Sequence, residues 1–335
     1  MPITYHDSIS LKNLYEAWNE FIPGKTLKKD VAEFALKLSP HIIELHNDLK
    51  NKTYRHGGYH AFKISDPKPR DIHKATIRDR LLHHALYRIL YPFFDKTFIS
   101  DSYSCRDGKG THRAIQRFQK FARQASQNNT KTCWILKCDI KKFFASIDHE
   151  ILLKILAQRI SDQDIFCLLK EIIGSFNSEN LDSRLRGNDN KRGLPLGNLT
   201  SQLLANVYLN EFDQFVKHKL KVNQYIRYAD DFVIFSRDRA WLEEILLRMK
   251  MFLHWELKLE MHPDKVFIKT ITSGVDFLGW VHFPDHRVLR TATKKRMFRN
   301  LEAKKGKEEV VQSYLGLLRH GNGWGLRAEV ERRLV

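Results

Sequence analysis

Residues 224–237, QYIRYADDFVIFSR, place two short strand-prone runs, Tyr225-Ile226-Arg227-Tyr228 and Phe232-Val233-Ile234-Phe235, on either side of Ala229, Asp230 and Asp231. β-Branched and aromatic residues in runs this short, parted by so few residues, make a β-hairpin with the acids at its tip the expected fold. An ordinary hairpin turn is one account of the pair, because Asp tolerates turn conformations. Two adjacent carboxylates among residues suited to burial raise a further question, since like charges held close raise one another's pKa unless a cation is shared.

A third acid answers part of it. The run CWILKCDIKKFF reads as a buried strand ending in Asp139, and SIDHEILLKILAQRI after it reads as a helix capped by Asp148 or Ser146. The order is then strand, helix, helix, hairpin, and antiparallel pairing of those strands would bring Asp139 beside Asp230 and Asp231. Carboxylates so clustered suit Mg²⁺, which takes a few carboxylates plus water and substrate phosphates. Two such ions about 4 Å apart can activate an attacking 3′ oxygen and steady a leaving pyrophosphate. The charge agrees, because 57 Lys and Arg stand against 39 Asp and Glu, a net +18 spread along the chain, and the expected partner is an extended polyanion such as nucleic acid.

Elsewhere the pattern is mixed. SLKNLYEAWNEF and KDVAEFALKLSPHIIELHNDLKN have helical period, the second interrupted near Pro40, and TIRDRLLHHALYRILYPFFDKTF has it again. A basic, strand-like stretch precedes that last helix, and SYSCRDGKGTHRAIQRFQKFARQ passes from loop to a helix opened by Thr111. Residues 177–192 read as a polar surface loop or tolerated insertion, 193–221 as Gly and Pro punctuation that becomes an amphipathic helix, about 240–256 as another helix, VFIKTITSGVDFLGWVHF as a strand pair, and the end from about 291 as basic helices. Cys105, Cys133, Cys138 and Cys167 show neither a zinc nor a disulfide pattern and read as reduced core thiols. No apolar run approaches the roughly 18 residues of a membrane span and the start lacks a signal-peptide pattern, so a cytoplasmic protein with no membrane partner is expected.

In this order and spacing, LKCDIKKFFASID, GLPLGNLTSQLLANVYLNEFD, YADD, HPDK and FLGW resemble the successive palm motifs of reverse transcriptases. KPRDIHKATIRDRLLHHAL resembles the fingers motif of the bacterial retroelement branch. The resemblance covers about residues 60–283 and implies an α+β right-hand polymerase. It divides the chain into a helical extension (1–59), fingers (60–135), a palm of antiparallel sheet packed on helices (136–286) and a small helical thumb (287–335). LGNLTSQ, Leu196 to Gln202, departs from the Gln-Gly start and Ser-Pro end usual in group II intron enzymes. It is similar to the enzymes of diversity-generating retroelements, which copy a template-repeat RNA into cDNA with errors at adenines. Ala229 stands where Met is frequent in the family.

The implied function is RNA-directed DNA synthesis with two Mg²⁺ ions, dNTPs, a template RNA and an RNA·DNA duplex, with a small basic accessory protein as partner. The alternatives are a phage-defence reverse transcriptase using a dedicated non-coding RNA, or a catalytically silent RNA-binding protein, against which the three acids speak. No segment of these residues is left over for an RNase H, endonuclease or integrase. Residue by residue, the resemblance assigns Asp139, Asp230, Asp231 and the carbonyl of Ile140 to the metals, Phe144 to a gate against the ribose 2′-OH, and Lys68 and Arg70 to the incoming triphosphate. It places Lys265 near the pyrophosphate as a proton donor, Leu196 and Gly197 beside the nucleotide, and Phe277, Leu278, Gly279 and Trp280 in the primer grip.

Overall fold

The computed structural model describes residues 3–65, 69–176, 191–304 and 306–332. In chain order, helices α1 (Tyr5–Ile9), α2 (Leu11–Phe21), α3 (Lys29–Leu36) and α4 (Leu38–Lys50) precede a hairpin, β1 (Tyr59–Ile64) and β2 (Arg70–Ala75), and the long helix α5 (Ile77–Asp95). Next come α6 (Thr111–Ala125), β3 (Trp134–Asp139), α7 (Phe143–Ser146), α8 (His149–Ala157), α9 (Gln163–Gly174) and α10 (Leu199–Gln214). The hairpin β4 (Tyr225–Tyr228) and β5 (Asp231–Ser236) leads into α11 (Arg239–Leu257), β6 (Phe267–Thr270), β7 (Val275–Phe277), β8 (Trp280–His282) and β9 (Arg287–Leu289). Helices α12 (Thr291–Ala303), α13 (Glu308–Leu318) and α14 (Trp324–Arg332) follow. The class is α+β, and the described strand ladders are antiparallel.

Contacts divide the chain into two compact units, the first drawn from residues 1–99, 140–215 and 251–260. In it α2 buries Leu14, Ala17, Trp18 and Phe21, the spacing of one helical face, and packs on α5. Ser10 caps α2 by accepting from the Asn13 N–H, Thr76 caps α5 through Asp79, and Asp148, not Ser146, caps α8 by accepting from Glu150 and Ile151. The interruption expected near Pro40 lies instead at Lys37, whose φ of −125° and ψ of 42° leave the helix. Pro40 sits in the first turn of α4, where its missing N–H costs no hydrogen bond.

The second unit, from residues 100–139, 216–250 and 261–335, holds a four-stranded sheet in the order β4-β5-β3-β6 and a three-stranded sheet, β7-β8-β9. Phe118 and Phe121 of α6 pack with Ile135, Ile226, Val233, Phe235 and Phe277 into one apolar cluster. The strand pair expected across residues 266–283 is really two partnerships: β6 pairs with β3, whereas β7 pairs with β8 beyond a 3₁₀ turn at Ile271–Ser273. Two cysteines depart from the core reading, since Cys105 and Cys167 are exposed while Cys133 and Cys138 are buried. Of the polar stretch 177–192, residues 177–190 lie outside the described set. Its end is tethered, with Arg192 bridged to Asp148 and the Lys191 carbonyl accepting from the His149 N–H at 3.2 Å. Among the described residues no helix is long and apolar enough to cross a membrane.

Candidate active site

The three acids meet at one end of the four-stranded sheet. In the β3–β5 ladder Asp139 is the register partner of Asp231, and in the β4–β5 ladder Tyr228 is, so the hairpin turn consists of Ala229 and Asp230 alone. Directly opposed residues of an antiparallel pair project to the same face, which puts the Asp139 and Asp231 carboxylates side by side. Ala229 holds φ at 54°, a region L-residues enter at a cost. Arg227, fully buried, steadies that turn by donating from a guanidinium N–H to the Ala229 carbonyl at 3.2 Å. Residues 101–103 support the same strand: the Arg227 N–H donates to Asp101 and the Tyr103 N–H to the Arg227 carbonyl, each at 3.0 Å. The Asp101 carboxylate, buried, accepts from Arg117 at 2.6 Å.

Two lysines balance the acids. Lys265 Nζ donates to Asp139 Oδ1 at 2.7 Å, from a short turn, Pro263–Lys265, that is tied to β3 by the His262 N–H donating to the Asp139 carbonyl at 2.7 Å. Lys137 lies two places before Asp139 and so on the same face. Its Nζ is 3.0 Å from Asp231 Oδ1, a charge contact without hydrogen-bond alignment that leaves this buried oxygen otherwise unpartnered. Burial pushes the Asp231 carboxyl up to about 6; Lys137 opposes the shift, and Asp139 and Asp230 add to it. The site therefore carries more negative charge than its surroundings solvate, and a shared cation would relieve it.

Among the described residues no three His, Cys, Asp or Glu side chains are gathered as a ready metal cage. The donors nevertheless fit a hard divalent ion. They are carboxylate oxygens only, two of them opposed in register and a third on the adjoining turn, and one is a buried oxygen lacking a hydrogen bond. Ile140, the next residue after Asp139, is buried.

Other sequence-predicted residues gather in the first unit. Arg70 opens β2 and is exposed, while Lys68 lies outside the described residues. The His73 N–H donates to the Leu196 carbonyl at 3.0 Å and the Leu194 N–H to the Phe144 carbonyl at 2.8 Å, joining the strand of Arg70, the Leu196–Gly197 turn and Phe144. Asn198, buried, completes this joint by donating to the His73 carbonyl at 2.8 Å. Gly197 sits at φ 111°, and a Cβ there would stand 2.8 Å from Ile72 Cγ2. Gly197→Ala should therefore destabilise the protein by about 2 kcal/mol, read as a lower urea midpoint with unchanged slope. A midpoint equal to the wild type's would show that the turn accepts a side chain without strain. In the second unit, FLGW forms the β7–β8 turn. Leu278 and Gly279 both have positive φ, 52° and 86°, and Phe277 pairs with Trp280, both rings fully buried.

Sequence reasoning passed over Lys137, Arg227, Asn198 and Asp101. Lys137 had a signal, its two-residue spacing from Asp139. Arg227 had one too, a cation inside a run that otherwise reads as buried.

An antiparallel sheet presenting opposed carboxylates beside a tight acidic hairpin defines the palm of a right-hand polymerase. Residues 63–282 match the family described as Reverse transcriptase (RNA-dependent DNA polymerase). The chain belongs to the reverse transcriptase family, whose members generally depend on divalent metal. It is similar to protein YkfC of Escherichia coli (strain K12), 26% identical over 262 residues that cover 69% of this chain and 66% of YkfC. It is also similar to the group II intron-encoded protein LtrA of Lactococcus lactis subsp. cremoris, 25% identical over 357 residues, 86% of this chain and 56% of LtrA. The chain thus spans under two thirds of these relatives, and they are of bacterial, group II intron-like type rather than specifically diversity-generating. Among solved structures, a telomerase from Candida albicans in complex with a fragment of telomeric RNA superposes with a TM-score of 0.53 at 12% identity, covering 81% of this chain and 55% of that one, a likeness of fold.

Proposed function

We propose that this chain is an RNA-directed DNA polymerase that extends a primer on a template RNA with dNTPs. The observation that carries it is the register pairing of Asp139 with Asp231 next to Asp230, inside the segment that matches the family. Asp139, Asp230, Asp231 and the Ile140 carbonyl would hold two Mg²⁺ ions, which when bound activate the primer 3′ oxygen and neutralise the leaving pyrophosphate. Lys265, whose Nζ already donates to Asp139, would pass a proton to the departing pyrophosphate. Arg70 and Lys68 grip the triphosphate, Arg through its forked donors. Phe144 excludes a ribose 2′-OH, and the Phe277–Trp280 turn holds the primer end. The working parts are a helical extension, fingers, palm and a small basic thumb along the RNA·DNA duplex, acting in the cytoplasm. Magnesium-dependent primer extension on an RNA template tests the reading, and no product with either magnesium or manganese would end it.

The finer assignment is to the error-prone enzyme of a diversity-generating retroelement, working with a small basic accessory protein. LGNLTSQ supports it, because Leu196 offers no hydrogen bond where faithful relatives carry Gln, and discrimination built on such a bond is lost without it. Leu196→Gln should lower misincorporation opposite template adenines about tenfold. Sequencing of cDNA products reads this, and an unchanged error spectrum would remove the support. RNA copurified with the chain separates this role from defence: a template repeat marks the first, a dedicated non-coding RNA the second.

A further inference from the structure

At the other end of the acid-bearing sheet the second unit holds a cavity of about 460 Å³. Ser236 lines it, and since Ser236 pairs with Trp134 while Asp231 pairs with Asp139, five residue steps put it about 17 Å from the acids. The cavity's lining residues include four with side-chain amides, Gln124, Gln127, Asn223 and Gln224, the first three exposed, and none of these amides is hydrogen-bonded to another described group. Lys221, Arg237 and the ring of Trp241 complete the polar and aromatic lining, and the described lining residues include no carboxylate.

The backbone on which this wall is built is strained. Gln127, Asn128 and Asn129 are consecutive residues in the left-handed region, at φ 50°, 56° and 67°, and Lys221, also in the lining, is there too, at φ 57°. L-residues enter that region singly and at a cost. The turn is held by hydrogen bonds from the Asn128 N–H to the Arg123 carbonyl at 2.8 Å and from the Asn129 N–H to Ser126 Oγ at 2.9 Å. Its effect is to present Gln127 toward the same hollow as Gln124.

We propose that this cavity seats an unpaired nucleotide of RNA lying outside the template–primer duplex. Amides supply both donors and acceptors, which is what a base edge requires, and an aromatic ring supplies a stacking surface. Two cations without a carboxylate suit the attached phosphate, and the volume is within the range of small-ligand sites. A peptide would satisfy the amides but would leave Lys221 and Arg237 without a required partner. The assignment rests on the reading that the chain works on RNA, and it adds a second contact through which the RNA is anchored away from the chemistry.

The test uses the full chain already holding a primer–template duplex, probed with a labelled single-stranded oligoribonucleotide carrying 4-thiouridine. Ultraviolet crosslinks should map to residues 124–127 or 221–241, and the Gln124→Ala/Gln224→Ala and Arg237→Ala variants should each bind the probe about tenfold more weakly. Extension of the preformed duplex should be unchanged in both. Affinities within about twofold of wild type, or crosslinks confined to other segments, would overturn the site while extension continued. A wild-type chain that crosslinks as expected yet extends no primer would keep the site and sink the polymerase reading. Displacement of the probe by an acidic peptide but not by unlabelled single-stranded RNA would reassign the cavity to protein and overturn the proposal.

Discussion

Asp231→Asn is expected to reduce primer extension by about 10³-fold or more while the protein stays folded. The substitution keeps the shape of the side chain and its place opposite Asp139, but removes one full charge from the site and so weakens the proposed hold on divalent metal. Stability should not fall with activity. Burial, with Asp139 and Asp230 adding to it, already pushes this carboxyl up to about 6, so a neutral amide relieves a charge that the fold holds at some expense. Against that stands Lys137, which loses its counter-charge at 3.0 Å. The two effects oppose, and the melting temperature should move by no more than a few degrees in either direction, roughly the equivalent of 1 kcal/mol. Binding of an RNA·DNA duplex in magnesium-free buffer should be retained. Extension within about tenfold of the wild type would mean that Asp231 does not hold the metals, and the proposed mechanism would fall with it.

Much of this site could be read before the fold was seen, because its signals are local. The Tyr225–Phe235 hairpin follows from β-branched and aromatic runs around a short acidic turn, and the Asp139 strand from a buried run that stops at an acid. What was not legible is set by long-range pairing. Nothing near Phe267 tells that its strand joins β3 while the next strands form a separate sheet; the Thr270–Gly274 stretch reads equally as a hairpin turn. Lys265 meets Asp139 across 126 residues, a contact the motif HPDK suggests only through its family resemblance. Arg227 defeats binary patterning outright, since a charged residue in a strand is normally assigned to the solvent face. Here the Asp101–Tyr103 loop and the Ala229 carbonyl enclose it. Pro40 misleads for the opposite reason: it reads as a breaker, yet in a first turn it has no hydrogen bond to break. Gly193, Pro195 and Gly197 mark a break before the helix, but the union of the Leu196–Gly197 turn with β2 depends on the buried amide of Asn198, which sequence alone presents as one more polar residue.

Gly321→Ala should be the most damaging single-methyl change in the second unit, through the hairpin proposed to hold the primer. A Cβ at Gly321 would fall 2.1 Å from Trp280 Cζ3 and under 3 Å from two further ring carbons, so the indole lies directly on the glycine. Neither side can yield easily. Trp280 is 1% exposed and packed with Leu289, Met297, Phe298, Leu318 and Val330, while the glycine's loop is fixed by Arg287 donating to the His320 carbonyl and by the Asn322 N–H donating to the Arg287 carbonyl at 2.8 Å. Overpacking of this kind costs about 3 kcal/mol, and the melting temperature should drop by roughly 5–10 °C. Because Trp280 is the register partner of Phe277, the displaced ring must carry the Leu278–Gly279 turn with it, and the KM for primer–template should rise while the KM for dNTPs stays put. Adding Trp280→Phe to Gly321→Ala makes room for the methyl, so the double variant should recover stability that neither change alone would predict. Wild-type stability in the single variant would refute the packing itself. A destabilised variant with unchanged primer affinity would instead detach the FLGW turn from the primer and leave it a purely structural hairpin.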